Sequence, residues 1–503
     1  METSDKTDEQ PKQEVDELRD ICNGEAACNM TETSTQTSTV QVQGHGPRLS
    51  KVNLFTLLSL WMELFPRRES QQKKSSESSQ DTGLVVVHER RVLGLHCSGS
   101  DLHAGQIAVI KHGPRLKGCD MYFSRKPCST CLKMLINAGV SQILYWPGDT
   151  EISLLEEGEG AMGSSQGEAL QDAAASEKLR CNSQTHIRVL LQPLADSMLQ
   201  FVEETSQNCD FMEKISNDGP DINGLFREQY LKNLKHFSRI FLISDENQHR
   251  ILFTKMGLEN FFIEPYFRNL RQLMSDLIKV LSLVAASVQV LQEEYGFYDG
   301  ETLSPNSQTL SQDVIRHCVI QARLLSYRTE DHKVGVGAVI WAEGKHSPCD
   351  GTGPMYLVGC GYNAYPGGSA YAEYPQTQKR QKGLHNKYRY IIHAEQNALT
   401  FRSAEIKEEE NTMLFVSKCP CDECVPLIHG AGIKQIYTSD LDSGKRKHDI
   451  SYLKFSKLHG VRKFIWQKKT VIGSEKGGLR TNGGVKHRRS EESELHNTKR
   501  LRS

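Results

Sequence analysis

The chain lacks an excess of charge of either sign. Its 61 Lys and Arg stand against 62 Asp and Glu, a formal net charge of -1 over 503 residues. A protein that coats nucleic acid by bulk attraction to phosphate is therefore not expected. Aromatic residues are scarce, at 7%, which argues against a long stacking platform for single strands. No long apolar run is present either. The longest such stretch, 277–291, is interrupted by Lys279, Ser282, Ser287 and Gln289. It falls short of the ~20 apolar residues that cross a bilayer, so no membrane association is expected. The first ten residues carry no basic-then-apolar pattern, and no secretory leader is expected. Without export, the 14 cysteines are expected as thiols, with closely spaced pairs serving as metal ligands. Hydrophobic residues make up only 38%, so part of the chain is expected to be disordered.

What is present divides the chain into five parts. Residues 1–70 are polar and Thr/Ser-rich, with eight acids against three bases in the first twenty, and are expected to be mostly disordered. They end in a short helix in which Leu54, Leu57, Leu58, Trp61 and Leu64 recur at helical spacing. A packing helix is preferred to a leucine-rich export signal, because core helices commonly show this spacing. Residues 67–82 read as a linker. Residues 71–215 alternate strands with helices, and 147–183, rich in Gly, Ala, Ser and Glu, reads as an insertion or loop. Residues 216–311 are helical in pattern, broken near Gly257 and Pro265. Residues 312–466 alternate again, which argues for an α/β layered domain. Residues 467–503 form a basic tail, expected to be disordered.

The two alternating regions repeat each other. Cys128 and Cys131 follow a short strand in the first, as Cys421 and Cys424 do in the second. Seven residues beyond each pair, Ala138-Gly139-Val140-Ser141-Gln142-Ile143 matches Ala431-Gly432-Ile433-Lys434-Gln435-Ile436. Upstream, His103-Ala104-Gly105 matches His393-Ala394-Glu395. Two copies of one fold follow. The sharpest difference is Gly105 against Glu395.

In the second copy, the spacing of Cys421 and Cys424 directs two sulfurs at one ion, and a helix N-terminus favours their thiolates. His393 supplies a third ligand. Three protein ligands leave a position for water, the arrangement of catalytic zinc. The bound water then ionises near pH ~7. Glu395, two residues from His393, is placed to move protons without ligating the metal. The alternative is a closed structural site completed by Cys419. Glu395 argues against it, since a structural site has no use for an adjacent carboxylate. The H-A-E and P-C-x-x-C pairing matches the signature of zinc-dependent base deaminases.

Residues 312–466 resemble the cytidine and deoxycytidylate deaminase family. The resemblance rests on the zinc motif and on 334–340, 358–368, 387–399 and 419–424, which look like the deoxycytidylate branch. It covers both copies, but only the second closely. It implies two three-layer α/β/α domains, each around a mostly five-stranded mixed sheet, with a helical segment between them. It also implies water activated by zinc attacking C4 of cytosine. Glu395 then protonates N3 and the departing amine, the backbone of Ala394 helps hold the base, and Asn363 contacts the sugar.

A free nucleotide is the expected substrate, because Arg and Lys suit phosphate. Gly367, Gly368, Lys379, Arg380, Lys382, Lys387 and Arg389 lie between Asn363 and His393, and Arg328 precedes the first strand. As a group these cations favour a nucleotide over a nucleoside, although surface Lys and Arg singly report only solubility. A cytosine in single-stranded DNA or RNA stays open as an alternative, since Tyr362, Tyr365, Tyr371, Tyr374, Tyr388 and Tyr390 cluster here. A non-enzymatic scaffold is disfavoured by the intact second-copy set. The first copy keeps His103, Cys128 and Cys131, which could hold a second zinc, but has no relay carboxylate and is expected not to catalyse. Packing is preferred to a nucleotide-effector role, with homo-oligomer assembly expected. Lys486, His487, Arg488 and Arg489, then nine residues, then Lys499, Arg500 and Arg502 look like a bipartite import signal read by a nuclear import receptor. Cytoplasmic and nuclear residence is the corresponding expectation, and a solvated basic tail is the alternative.

Overall fold

The computed structural model describes residues 47–66, 81–151, 165–217, 219, 221–299, 310–329, 335–345, 350–367, 389–447 and 450–469. Helix α1 (Lys51–Glu63) is followed by β1 (Gly83–His88), β2 (Arg91–Cys97), α2 (Ala104–His112), β3 (Asp120–Phe123), α3 (Ser129–Asn137), β4 (Gln142–Tyr145), α4 (Ser165–Cys181) and β5 (His186–Arg188). Helices α5 (Met198–Gln207), α6 (Asp210–Ser216), α7 (Ile222–Phe241), α8 (Glu246–Met256) and α9 (Tyr266–Gln289) lead to β6 (Tyr295–Asp299). The second alternating region holds α10 (Gln312–Ser326), β7 (Gly337–Glu343), β8 (Met355–Tyr362), α11 (Ala394–Thr400), β9 (Asn411–Val416), α12 (Cys424–Gly430) and β10 (Gln435–Thr438). It ends in a small ribbon of β11 (Arg446–Lys447) and β12 (Ile450–Ser451), then α13 (Leu453–Ser456) and β13 (Arg462–Lys468).

The first sheet runs β2-β1-β3-β4-β5 and the second β6-β13-β10-β9-β7-β8. In each, an antiparallel hairpin joins a third strand, and two parallel strands follow: β1, β2, β3, β4 and β5 correspond in order and direction to β7, β8, β9, β10 and β13. The internal repeat read from the cysteine spacing is therefore a repeat of topology. Two three-layer α/β/α domains around mixed sheets result, as expected.

Three features differ from the reading by pattern. First, β6 adds a sixth strand, antiparallel to β13 in the register Tyr295↔Lys468 to Asp299↔Phe464. The stretch 216–311, read as helical, thus gives its end to the second sheet, whose core does not begin at 312. Second, α1 belongs to the first domain, although the sequence reading left it in the region before 71. It lies on β1 as α10 lies on β7, and each approach is so close that only glycine fits. A Cβ on Gly83 would sit 2.0 Å from the Ser59 carbonyl oxygen, and one on Gly337 would sit 1.9 Å from that of Ala322. Leu54, Leu57, Leu58 and Trp61 are buried there, so this is a packing helix. Third, 147–183 is not wholly loop: 165–181 is helix α4, because its Ala, Leu, Glu, Gln and Lys are strong helix formers that outweigh the loop-like Gly and Ser. The segments read as N-terminal tail, linker and basic tail lie outside the described residues, apart from their margins.

Strand β7 shows how the layers divide. Ala338, Ile340 and Ala342 point into one core with Ala394, Cys424 and Ile428. Val339 and Trp341 point into the other, which runs without interruption from α1 through α9 to Trp466. This is the period-2 alternation of a strand covered on both faces. The larger core is shared by both domains, and the buried helix α9 packs against α7, α5, α10 and α1. The breaks in that helical stretch fall where expected. Gly257 caps α8 in the left-handed conformation, with φ 68°, and Pro265 caps α9. Ten of the described cysteines are free thiols, and Cys181 is the exception, in a disulfide.

Candidate active site

His393 sits at the N-cap of α11 with extended backbone, and its N–H donates to Gln396 Oε1 at 2.8 Å. This capping box fixes the imidazole at the mouth of the helix. The two cysteines come from the loop after β9. Cys424 is the first residue of α12, and the turn between the sulfurs is held by Asp422, whose N–H donates to the Ser451 carbonyl at 2.8 Å and whose Oδ1 accepts from Lys454 N–H at 2.6 Å. His393 Nδ1 lies 3.2 Å from Cys421 Sγ and 3.3 Å from Cys424 Sγ. Donors around a tetrahedral zinc, with Zn–S ~2.3 Å and Zn–N ~2.0 Å, stand ~3.5 Å apart. The three side chains thus fit this ion.

Among the described residues, none plugs the fourth position: Cys419 is buried, but its thiol turns to the Pro420 carbonyl at 3.8 Å, and the metal-competent group at this site is His393, Cys421 and Cys424. Glu395, in the first turn of α11, is only 4% exposed. Burial pushes its carboxyl up to about 7, with His393 opposing and Cys421 reinforcing. The Cys421 thiol is drawn down to about 4, first by its hydrogen bond with Cys424 and then by His393 against burial. Burial disfavours the His393 cation, yet the Cys421 sulfur outweighs it and raises the group to about 9. Cys421 thus stands ready as a thiolate, and the imidazole, which holds a proton here, releases it to a cation.

Helix α11 is seated by glycine. A Cβ on Gly361 of β8 would lie 2.4 Å from the Ala394 carbonyl oxygen and 2.6 Å from the Ala398 nitrogen. Just beyond β8, the Asn363 N–H donates to the Val336 carbonyl at 3.2 Å, and its side-chain oxygen accepts from Val336 N–H. A bridge between Ala364 and Ile392 then ties this turn to the residue before His393. The fold so ties the Asn363 turn to the residue before His393, and places Ala394 and Glu395 in the first turn of the helix that His393 caps. Arg328 follows the end of α10, half-buried, and Arg389 is exposed in a turn before His393. Gly368, Tyr371, Tyr374, Lys379, Arg380, Lys382, Lys387 and Tyr388 lie outside the described residues, as do Lys486, His487, Arg488, Arg489, Lys499, Arg500 and Arg502.

The first domain repeats the construction. His103 caps α2, and its N–H donates to Gln106 Oε1 at 2.9 Å. Its Nδ1 stands 3.3 Å from Cys128 Sγ and 3.5 Å from Cys131 Sγ. The three predicted ligands are together, joined by Glu151, which sequence reasoning missed. Nothing local marks Glu151, twenty residues past Cys131 in a stretch read as loop. The capping glutamines were also missed, although Gln106 and Gln396 stand at the same offset from their histidines.

Three comparisons place the chain. The family described as the cytidine and deoxycytidylate deaminase zinc-binding region matches residues 60–146 and 311–440. Together with the donor sets, that match assigns zinc as the cofactor. The zebrafish cytidine and dCMP deaminase domain-containing protein 1 is 64% identical over 457 residues, 90% of this chain and 96% of that protein. Mouse deoxycytidylate deaminase is 35% identical over 148 residues, 28% of this chain and 75% of that protein. The solved dCMP deaminase of cyanophage S-TIM5, in complex with dCMP and dUMP, is 21% identical, with a TM-score of 0.22, covering 31% of this chain and 98% of that one. With both repeats matched and a relative aligned over nearly its whole length, the chain belongs to the cytidine and deoxycytidylate deaminase family.

Proposed function

We propose that the second repeat hydrolytically deaminates the cytosine of a free deoxycytidine nucleotide, dCMP or dCTP, giving the uracil form and ammonia in pyrimidine nucleotide metabolism. The observation that carries this reading is the buried Glu395 carboxyl set beside a three-donor metal group whose fourth position no described side chain fills. Zinc, when bound, supplies the Lewis acidity that makes water a nucleophile near neutral pH. Glu395 accepts one proton from water and delivers it to N3 of the base, then takes the second from the hydroxyl now on C4 and passes it to the amine, which leaves as ammonia. The Ala394 backbone holds the base and Asn363 the sugar. Arg328, Lys387 and Arg389 hold phosphate, whose charge a guanidinium fork or ammonium matches. The kinship with proteins named deoxycytidylate deaminase supports a nucleotide rather than a nucleoside.

The first repeat carries Gly105 where Glu395 stands and serves as a non-catalytic partner. In this reading the chain assembles as a homo-oligomer, is open to a nucleotide effector, and uses its basic C-terminal clusters for import, residing in cytoplasm and nucleus. Deleting 486–503 is expected to lower nuclear accumulation, and an unchanged distribution refutes the import role. The substrate is tested by incubating the purified chain with cytidine, dCMP, dCTP, CTP and single-stranded DNA or RNA, and scoring uracil product. Turnover of dCMP or dCTP is expected. Turnover of the oligonucleotides alone replaces this reading with editing, and turnover of cytidine alone removes the phosphate contacts.

A further inference from the structure

The first repeat differs from the second by more than a missing carboxylate. Glu151 lies beyond β4, yet the chain returns it to the cysteine loop. The Lys126 N–H donates to the Asp149 carbonyl at 3.0 Å, and the Glu151 N–H donates to the Lys126 carbonyl at 2.8 Å. Through this two-rung bridge the Glu151 side chain reaches the metal-competent group. Its Oε2 stands 3.0 Å from His103 Nδ1 and accepts from the Cys128 N–H at 3.2 Å. Its Oε1 is buried with no hydrogen-bond partner. The Glu151 side chain is 1% exposed and that of His103 10%. A carboxylate this buried, with an oxygen left unpaired, is costly unless a cation compensates it.

We propose that the first repeat holds zinc in a closed four-ligand site, His103, Cys128, Cys131 and Glu151, with no position for water or substrate. The donor atoms lie within 4.8 Å of one another. Their spacings match the ~3.5 Å between N and S donors and the ~3.3 Å between N and O donors of tetrahedral zinc. The second repeat has no equivalent. Counted from the paired strands β4 and β10, the position of Glu151 falls at Gly444. Position 105 completes the conversion. Gly105 leaves no carboxylate beside the ion, and a Cβ there would press on Cys131 Cβ and Sγ at 3.3 Å. One carboxylate has been withdrawn from beside the ion and another has entered its coordination sphere, which turns a catalytic centre into a structural one.

The test uses the full chain. Metal analysis of the wild type is expected to give two zinc ions per chain, and the double variant His393→Ala, Cys424→Ser to give one. With cobalt in place of zinc, the ion that remains in that double variant is expected to show a four-coordinate visible spectrum unchanged between pH ~6 and ~9, because no water is present to ionise. Adding Glu151→Gln is expected to make the spectrum pH-sensitive and to speed metal loss to a chelator by at least about tenfold. One zinc in the wild type with its second site intact overturns the proposal. So does a pH-dependent spectrum while Glu151 is present, or chelator release that Glu151→Gln leaves unchanged. Should the double variant fail to fold, Glu151→Gln alone decides the matter: release of one of the two zinc ions to a chelator faster by about tenfold than in the wild type supports the closed site, and unchanged release overturns it.

Discussion

At the scale of the residue, the two repeats are built alike around their donor groups. His393 and His103 cap their helices through the same glutamine contact, and each faces two sulfurs. They differ in where the carboxylate is: Glu395 follows His393 by two residues, and the first repeat has Gly105 at that place. Glu395→Ala is expected to lower kcat by ~10²–10⁴-fold while zinc stays bound, since in the proposed function the residue moves protons and holds no metal. Turnover and metal content measured on one preparation check this, and retained turnover contradicts the assigned role. Cys424→Ser is expected to lose the zinc of the second repeat together with activity, because the remaining two donors leave that ion half-held.

Elements place those residues, and their contacts are tight. Gly361→Ala puts a methyl 2.4 Å from the Ala394 carbonyl oxygen and forces α11 away from β8. Overpacking of this kind costs ~1–3 kcal/mol. Because α11 carries both His393 and Glu395, activity is expected to fall more than stability, by up to ~10²-fold in kcat/KM. Gly430→Ala, with nothing within 4 Å, is the control and is expected to be neutral. Melting temperature and kcat/KM of the two variants separate the effects. A second element-scale prediction concerns α1 against α10. His317 stacks on Trp61 at 4.6 Å, its Nε2 has no partner, and burial lowers its pKa to about 3. Its ordinary value is ~6.5, so the unfolded chain binds the proton that the folded chain refuses. This contribution is whole above pH ~6.5 and is lost as pH falls toward 3, with ~2 kcal/mol gone by pH ~5. His317→Phe is expected to flatten the fall of melting temperature between pH ~7 and ~5, and an unchanged slope contradicts it.

In the whole molecule, the domains do not behave as beads joined by a helical linker. Trp61 of the first domain donates to the His317 carbonyl of the second at 3.0 Å, and Trp466 donates to the Phe211 carbonyl at 3.1 Å. Across the other side, Lys111 pairs with Asp350 at 3.0 Å, and the Arg91 guanidinium lies 3.7 Å over the Phe401 ring. A fragment starting at 312 would lose β6 and the helices that cover Trp466. It is expected to aggregate, whereas the chain retaining both domains stays folded. Trp61→Ala is expected to cost ~3–5 kcal/mol. Denaturant unfolding followed at both domains should show one transition shifted in both, and separate transitions would show that the core is not shared.

The spacing Cys421-x-x-Cys424, the offset of His393 to Glu395 and the repetition of this pattern were legible from residue order, because a metal site built on helix starts depends on neighbours a few positions apart. Those local offsets marked Cys421 with Cys424 and His393 with Glu395, and set Gly105 apart; that His393 lies against sulfurs 28 or more residues further on is decided by the fold. Non-local pairing decided the rest. No period in 295–299 tells that β6 will add to β13, no feature of 51–63 ties it to a strand beginning at Gly83, and nothing near Glu151 announces that a bridge to Lys126 returns it to two cysteines twenty or more residues earlier. Such approaches exist only once the sheets have closed, since their stabilisation comes from surfaces that distant segments bury together.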